Sequence, residues 1–153
     1  MKRKLYIAYG SNLSVEQMAD RCPDARIAGK AALKDWALRF KVHADIEPCE
    51  GDTVPVLIWE ISREDERRLD AYEGWPHYYV KKDISVEMTD LDGKNPRNVK
   101  AMAYVMTEGH GLRIPMRAYY EVLYEGYRRF GFDTAYLERA MKEAEEGHGY
   151  EFS

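Results

Sequence analysis

The stretch that most constrains the fold is Tyr9-Gly10-Ser11-Asn12-Leu13. Ahead of it, Lys4 to Ala8 reads as a short strand, and behind it Ser14 to Arg21 reads as a helix. A chain that leaves a strand at a glycine and re-forms as a helix leaves backbone N–H groups unpaired at the turn. With the positive end of the helix dipole behind them, such groups suit an anion or a developing oxyanion. Gly10 lets the backbone come close to a ligand with no Cβ in the way. Ser14 with Gln17 predicts a capping box that marks the helix start. A capped strand–turn–helix also serves purely structural ends in many folds, and the motif taken alone favours that plainer role.

The remaining elements follow from periodicity and punctuation. Cys22-Pro23-Asp24 stops the first helix. A strand is predicted over Ala25 to Leu33 and another over Trp36 to Val42, where apolar and polar residues alternate. Ala44 to Thr53 is acidic and holds Pro48 and Gly51, so it is predicted as a loop, either a solvated connection or a flap over a pocket. Val54 to Ile61 is an apolar run typical of a central strand buried on both faces. Ser62 caps a helix with Glu64, Asp65 and Glu66 in its first turn, and Gly74 stands just past its expected end at Glu73. His77 to Met88 and Val99 to Met106 are predicted strands flanking a turn at Asp92-Gly93. Tyr119, Val122, Leu123, Gly126, Tyr127 and Phe130 recur at helical spacing, and Gly126 within that stripe predicts close approach to a neighbour. Asp133 opens a last helix expected to end by Gly147, with the tail from Gly149 loose. Five or six strands with three or four helices, not in strict alternation, make a mixed α+β fold whose sheet can curl into a barrel.

The length, 153 residues, is that of one domain, 1–153, with one core. A net charge of −4 with both signs interspersed argues against a nucleic-acid surface. No apolar run approaches membrane-spanning length, and the basic start leads straight into a strand, unlike a signal peptide. Cys22 and Cys49, the only cysteines, fit no zinc or redox spacing. The expectation is a reduced, cytoplasmic protein. Twelve tyrosines suit a polar pocket in an apolar wall, because tyrosine packs like a hydrophobe and carries a hydroxyl.

Glu73 is the candidate for chemistry. It lies in Leu69-Asp70-Ala71-Tyr72-Glu73-Gly74, at a helix C-terminus where unpaired carbonyls and the negative dipole end gather. That position, Asp70 one turn earlier and the aromatic neighbours Tyr72, Trp75, Tyr78 and Tyr79 all predict a raised carboxyl pKa. An acid so shifted is a useful general base near neutral pH. A surface glutamate whose neighbours are in the core fits the same segment equally. His43, His77, His110 and His148 are scattered without metal-ligand spacing, so no metal is expected, and His77 at most borders a site. The two cysteines read as inert packing rather than nucleophiles. Ser11 lacks a nucleophile-elbow context, which leaves it a hydrogen-bonding role.

Tyr9-Gly10-Ser11-Asn12-Leu13, together with Leu69 to Gly74 and the following Tyr79, resembles the γ-glutamylcyclotransferase family. The likeness continues through Ala103-Tyr104-Val105-Met106-Thr107 to Tyr119, Gly126 and Gly131, over nearly the whole chain. The Gly-Ser-Asn-Leu loop looks more like the branch acting on γ-glutamyl amino acids than the γ-glutamylamine or glutathione-specific branches. The resemblance implies a small mixed β-barrel with flanking helices and, without a cofactor, cleavage of a γ-glutamyl amide to 5-oxoproline and a free amine. It implies Glu73 as the catalytic residue. Tyr6, Tyr9, Gly10, Ser11 and Asn12 match the substrate-cradling strand end and loop, and Tyr79, Tyr104 and Tyr119 match pocket tyrosines. Two segments depart from the family pattern and are expected to border the pocket: the shortened stretch carrying Trp75-Pro76-His77, and the acidic segment Ala44 to Asp52. The expected partner is a small γ-glutamyl substrate, with neither nucleic acid nor membrane, in a monomer or homodimer. Two other readings share the same residues: a same-fold enzyme for a different γ-glutamyl amide, and a non-catalytic binding module for a small carboxylate.

Overall fold

The computed structural model of the chain describes residues 3–150. Strand β1 (Lys4–Ala8) leads through a single 3₁₀ turn, Ser11–Leu13, into helix α1 (Val15–Arg21). Two long strands follow, β2 (Arg26–Lys41) and β3 (His43–Ile61), then α2 (Arg63–Glu73). Strands β4 (Tyr79–Thr89) and β5 (Arg97–Met106) form a hairpin, and α3 (Arg117–Arg129) and α4 (Ala135–Tyr150) end the described chain. The five strands close into a barrel in the order β1-β3-β2-β4-β5. Neighbours are antiparallel except where β1 runs parallel to β5, with Tyr6 beside Met102, so the sheet is mixed.

Why the strands sit in this order is visible in their burial. Val54 through Trp59 and Ile61 are all buried, because β3 has a paired neighbour on each side and carries apolar side chains toward both faces. Ile7, Phe40, Leu57, Ile58 and Met102 belong to one core cluster drawn from four different strands. Helix α2 starts with a complete capping box: Asp65 N–H donates to Ser62 Oγ and Ser62 N–H donates to the Asp65 carboxylate. It ends at Gly74, which adopts the left-handed conformation (φ 66°) that glycine allows. Helix α3 lies against the 3₁₀ turn, and α4 lies along β2.

Several expectations are corrected. The segment Ala44 to Thr53 is not a loop; it is the first half of β3, paired residue by residue with β2 from Lys41–His43 to Trp36–Pro48 and beyond. Its breakers are absorbed in the ladder. Gly51 (φ 83°) and Asp35 (φ 68°) both take positive φ at a register shift, and Gly51 N–H donates to Asp35 Oδ1 at 3.0 Å. The same irregularity means that the two strands expected between Ala25 and Val42 are one strand bent at Asp35. Two acidic residues of the Ala44 to Thr53 segment carry structural partners. The buried Asp45 accepts from Lys41 Nζ at 2.7 Å and from Met106 N–H at 2.9 Å, and Glu47 pairs with Lys41 at 2.6 Å. The box expected at Ser14 is half made: Gln17 N–H donates to Ser14 Oγ, but the Gln17 side chain turns to Arg21 instead. Helix α4 runs on past Gly147, whose missing Cβ leaves room for Leu112 about 3.0 Å away. Of the tail expected to be loose, 149–150 belong to that helix and 151–153 lie outside the described residues.

Candidate active site

Glu73 and the residues matched to substrate binding, Tyr6, Tyr9, Gly10, Ser11, Asn12, Tyr79, Tyr104 and Tyr119, all line one cavity of about 440 Å³ at an end of the barrel. Its wall is assembled from six places: the end of β1, the 3₁₀ turn, the tip of the β2–β3 hairpin, the last turn of α2, the facing ends of β4 and β5, and the start of α3. The volume is within the range of small-molecule sites.

The turn forms one side. Gly10 carries the chain away from β1, and a Cβ on it would stand 3.1 Å from Tyr119 Oη, so glycine permits that close approach. Ser11 and Asn12 are buried. Trp59 Nε1–H donates to the Asn12 carbonyl at 3.0 Å and fixes the turn from the core side. Among the described residues no hydrogen bond takes up the N–H groups of Ser11 and Asn12. The Ser11 hydroxyl lies 3.2 Å from Tyr72 Oη, which ties the turn to the end of α2.

Glu73 lies on that α2 end, half-buried, and no hydrogen bond among the described residues ends on its carboxylate. Loss of water around it raises its pKa from 4.5 to about 7, against the downward pull of the Arg21 guanidinium. The direction is the one expected. Of the causes expected, it is burial, read from the aromatic neighbours, that raises the pKa; Asp70 is not among the causes.

The tyrosines are held by specific partners. Tyr9 Oη donates to the Tyr104 carbonyl at 2.5 Å, and Tyr104 Oη donates to Asp70 Oδ1 at 2.6 Å. Asn12 Nδ2 donates to Tyr6 Oη at 2.9 Å. Ala44, at the hairpin tip, is bracketed: its carbonyl accepts from Tyr79 Oη at 2.9 Å and its N–H donates to Tyr119 Oη at 3.0 Å. Burial raises the pKa of each of these hydroxyls, so they act as neutral donors and acceptors.

Two groups of residues differ from expectation. Of the segments expected to border the pocket, only Ala44 from the acidic stretch lines it, joined by its neighbour His43. Trp75, Pro76 and His77 do not line it, although Gly74 and Tyr78 beside them do. Arg21 was missed. Its guanidinium donates to Asn12 Oδ1 at 2.5 Å and to Gln17 Oε1 at 2.8 Å, and lies 3.7 Å from the centre of the Tyr72 ring. The one signal in the sequence is that Arg21 is the only cation on α1. Cys22 is buried, with its thiol pushed up to about 12, which suits packing rather than nucleophilic chemistry. Among the described residues no three His, Cys, Asp or Glu side chains converge, and no helix is long and apolar enough to cross a membrane.

A closed mixed barrel with a glycine turn and a half-buried glutamate on one tyrosine-walled cavity defines a small-molecule site of a particular type. The profile of the family described as gamma-glutamyl cyclotransferase, AIG2-like, matches residues 6–129, and the chain belongs to that enzyme family. A mouse protein named gamma-glutamylcyclotransferase is 29% identical over 148 residues, covering 88% of this chain and 76% of the mouse protein. The human protein of the same name is 28% identical with the same coverage. A solved structure named gamma-glutamyl cyclotransferase superposes with a TM-score of 0.75 at 27% identity, over 91% of this chain and 86% of that one. YkqA from Bacillus subtilis, 20% identical, shares the fold with a TM-score of 0.74, over 93% of this chain and 55% of that one.

Proposed function

We propose that this chain cleaves a γ-glutamyl amino acid, or a related γ-glutamyl amide, to 5-oxoproline and a free amine, with Glu73 as general acid and base. The observation that carries the reading is Glu73 itself: a half-buried carboxyl with a pKa near 7, on the same cavity as the turn N–H groups. The matching family and the named relatives support the same reading.

The chemistry follows from what a γ-glutamyl group needs. Its α-ammonium must lose a proton before the nitrogen can attack, and a carboxylate of matched pKa accepts that proton. The amine then closes on its own γ-carbonyl. Both reacting groups belong to one molecule, so the site need only hold it curled; well-oriented intramolecular reactions reach effective molarities of ~10⁵ M or more. The N–H groups of Ser11 and Asn12 take the developing oxyanion. Glu73, now protonated, gives its proton to the departing nitrogen and takes the second proton that the ring nitrogen sheds as the lactam forms, a proton that then leaves with the released amine. Ser11, Asn12 and the hydroxyls of Tyr6, Tyr79, Tyr104 and Tyr119 orient the substrate. In this reading the protein is a cytoplasmic single domain that works on a small molecule without a cofactor.

The test is a panel of γ-glutamyl compounds, beginning with γ-glutamyl-alanine, incubated with purified protein and assayed for 5-oxoproline. Release from one or more of them, lost in Glu73→Gln, is the expected result. Binding of a glutamyl compound by calorimetry without turnover would turn the reading into one of a carboxylate-binding module.

A further inference from the structure

Tyr6 and Tyr104 stand on adjacent, parallel-paired strands, with ring centres 5.9 Å apart and the rings edge to face. Both line the cavity. Each hydroxyl has one proton to give and lone pairs to receive. What each still offers a ligand is decided by what already holds it.

Tyr104 Oη lies 2.6 Å from Asp70 Oδ1. An ionised carboxylate only accepts, so the Tyr104 proton is committed to Asp70. Lys81 Nζ, 3.0 Å from Asp70 Oδ1, holds that carboxylate in place. Toward the cavity Tyr104 therefore presents lone pairs.

Tyr6 is held in the opposite sense. Arg21 only donates, so the Asn12 oxygen must be the end that meets the guanidinium, at 2.5 Å. That fixes the carboxamide orientation and sends Asn12 Nδ2–H to Tyr6 Oη at 2.9 Å. Tyr6 thus accepts from the protein, and among the described residues its own proton has no acceptor. Toward the cavity it presents an O–H.

We infer that Arg21 and Asp70 are positioning residues that fix two neighbouring hydroxyls with opposite polarity, Tyr6 as donor and Tyr104 as acceptor. The pair takes a ligand group that offers an oxygen acceptor to Tyr6 and an N–H to Tyr104, as an aminocarboxylate or an amide does. Neither charged residue touches the ligand; each acts through its partner. The wiring stands on this geometry alone. Its use in catalysis rests on the γ-glutamyl reading above.

Two arms separate these. The first needs no ligand. In protein carrying tyrosine labelled with ¹³C at Cζ, Tyr6→Phe and Tyr104→Phe assign the two resonances. Arg21→Met should move the Tyr6 resonance and leave that of Tyr104, and Asp70→Ala should do the reverse. Asp70→Asn, whose carboxamide oxygen still accepts, should largely restore the Tyr104 signal. The second arm is a pair of double-mutant cycles on kcat/KM for γ-glutamyl-alanine. Each single change should cost roughly tenfold, the worth of one well-made hydrogen bond to a ligand. Asp70→Ala should cost nothing more in the Tyr104→Phe background; nor should Arg21→Met in the Tyr6→Phe background, when measured at a pH well above 7, where Glu73 is ionised with or without the Arg21 charge beside it. Resonances that ignore their assigned charge, or cycles that come out additive in an active enzyme, overturn the inference. If the resonances respond as assigned but no γ-glutamyl compound is turned over, the wiring stands and the proposed function falls.

Discussion

Gly126 of α3 lies so close to Leu13 that a Cβ built on it would stand 2.7 Å from the Leu13 Cβ. Leu13 is fully buried and directly follows Asn12. Two effects compete in Gly126→Ala. Alanine is the better helix former by about 1 kcal/mol. Forcing a methyl into a close-packed contact costs about 1–3 kcal/mol. The contact is to a Cβ with the Leu13 backbone close behind it, so it cannot be relieved by rotating a flexible side chain. The expected result is a net loss of about 1–2 kcal/mol in denaturant unfolding, with a raised KM because the turn shifts with Leu13. A variant as stable as wild type would mean that α3 slides away without cost.

Glu73 has a raised proton affinity in the folded state, about 7 against 4.5 when solvated. As a general base it works only when deprotonated, so kcat/KM for 5-oxoproline release should rise as pH increases through about 7. Glu73→Gln should abolish release at every pH while keeping the fold.

The same shift sets the pH dependence of stability. The folded state binds this proton more tightly than the unfolded chain does. Its contribution is complete below about pH 4.5 and is lost as pH rises through about 7. Glu73→Gln has no such loss. By pH 8 it should be more stable than wild type by on the order of 2 kcal/mol, a figure reduced from the full shift because the carboxyl is only half-buried. At pH 4 the two should nearly coincide. Thermal denaturation at both pH values measures the difference.

How much of this was legible in the sequence depended on the range of the interaction that decides each feature. Alternation along Trp36 to Val42 and the apolar run Val54 to Ile61 are local, and both segments are strands. The Gly126 approach was legible because a glycine inside an apolar helical stripe has few other uses. The strand through Ala44 to Thr53 was not. Pro48 and Gly51 argue against a strand in any short window, and Gly51 is accommodated only because Asp35, sixteen residues back, bends with it and takes its N–H. Arg21 was missed for a similar reason. It reaches Asn12 and Tyr72, and only the folded chain brings these two under one guanidinium. Glu73 was legible as an acid with a pKa lifted by burial, because the aromatic residues that surround it are its neighbours in the chain; the helix end and Asp70 were read as further causes, and Asp70 is not one.

Tyr119 serves the site and the fold together. Its hydroxyl accepts the Ala44 N–H while Tyr79 donates to the Ala44 carbonyl, and Ala44 is buried. Tyr119→Phe leaves that N–H without its partner, a cost of about 1–3 kcal/mol. A pocket residue and nothing else would raise KM and leave stability alone. The expected outcome is that both change: KM rises several-fold, and the unfolding midpoint falls with the denaturant slope unchanged. An intact midpoint would show that water replaces the hydroxyl at Ala44.

Gly29 tests whether the barrel can lose a seam without losing its chemistry. A Cβ there would lie 2.2 Å from the Thr89 carbonyl oxygen and 2.8 Å from Met88 Cγ. The methionine side chain can move aside; the carbonyl cannot unless β4 moves. The β2–β4 junction is short, formed by Lys30–Thr89 and Ala31–Met88, so displacing Thr89 opens it. Gly29→Ala should therefore destabilise the protein by about 3 kcal/mol or more, at the upper end of overpacking costs. Amide exchange should rise most in the last residues of β4. Tyr79, on the cavity, is at the other end of that strand. Turnover per folded molecule, measured below the unfolding transition, should stay within about twofold of wild type, because the loss falls on the junction and not on the hydroxyls around Glu73.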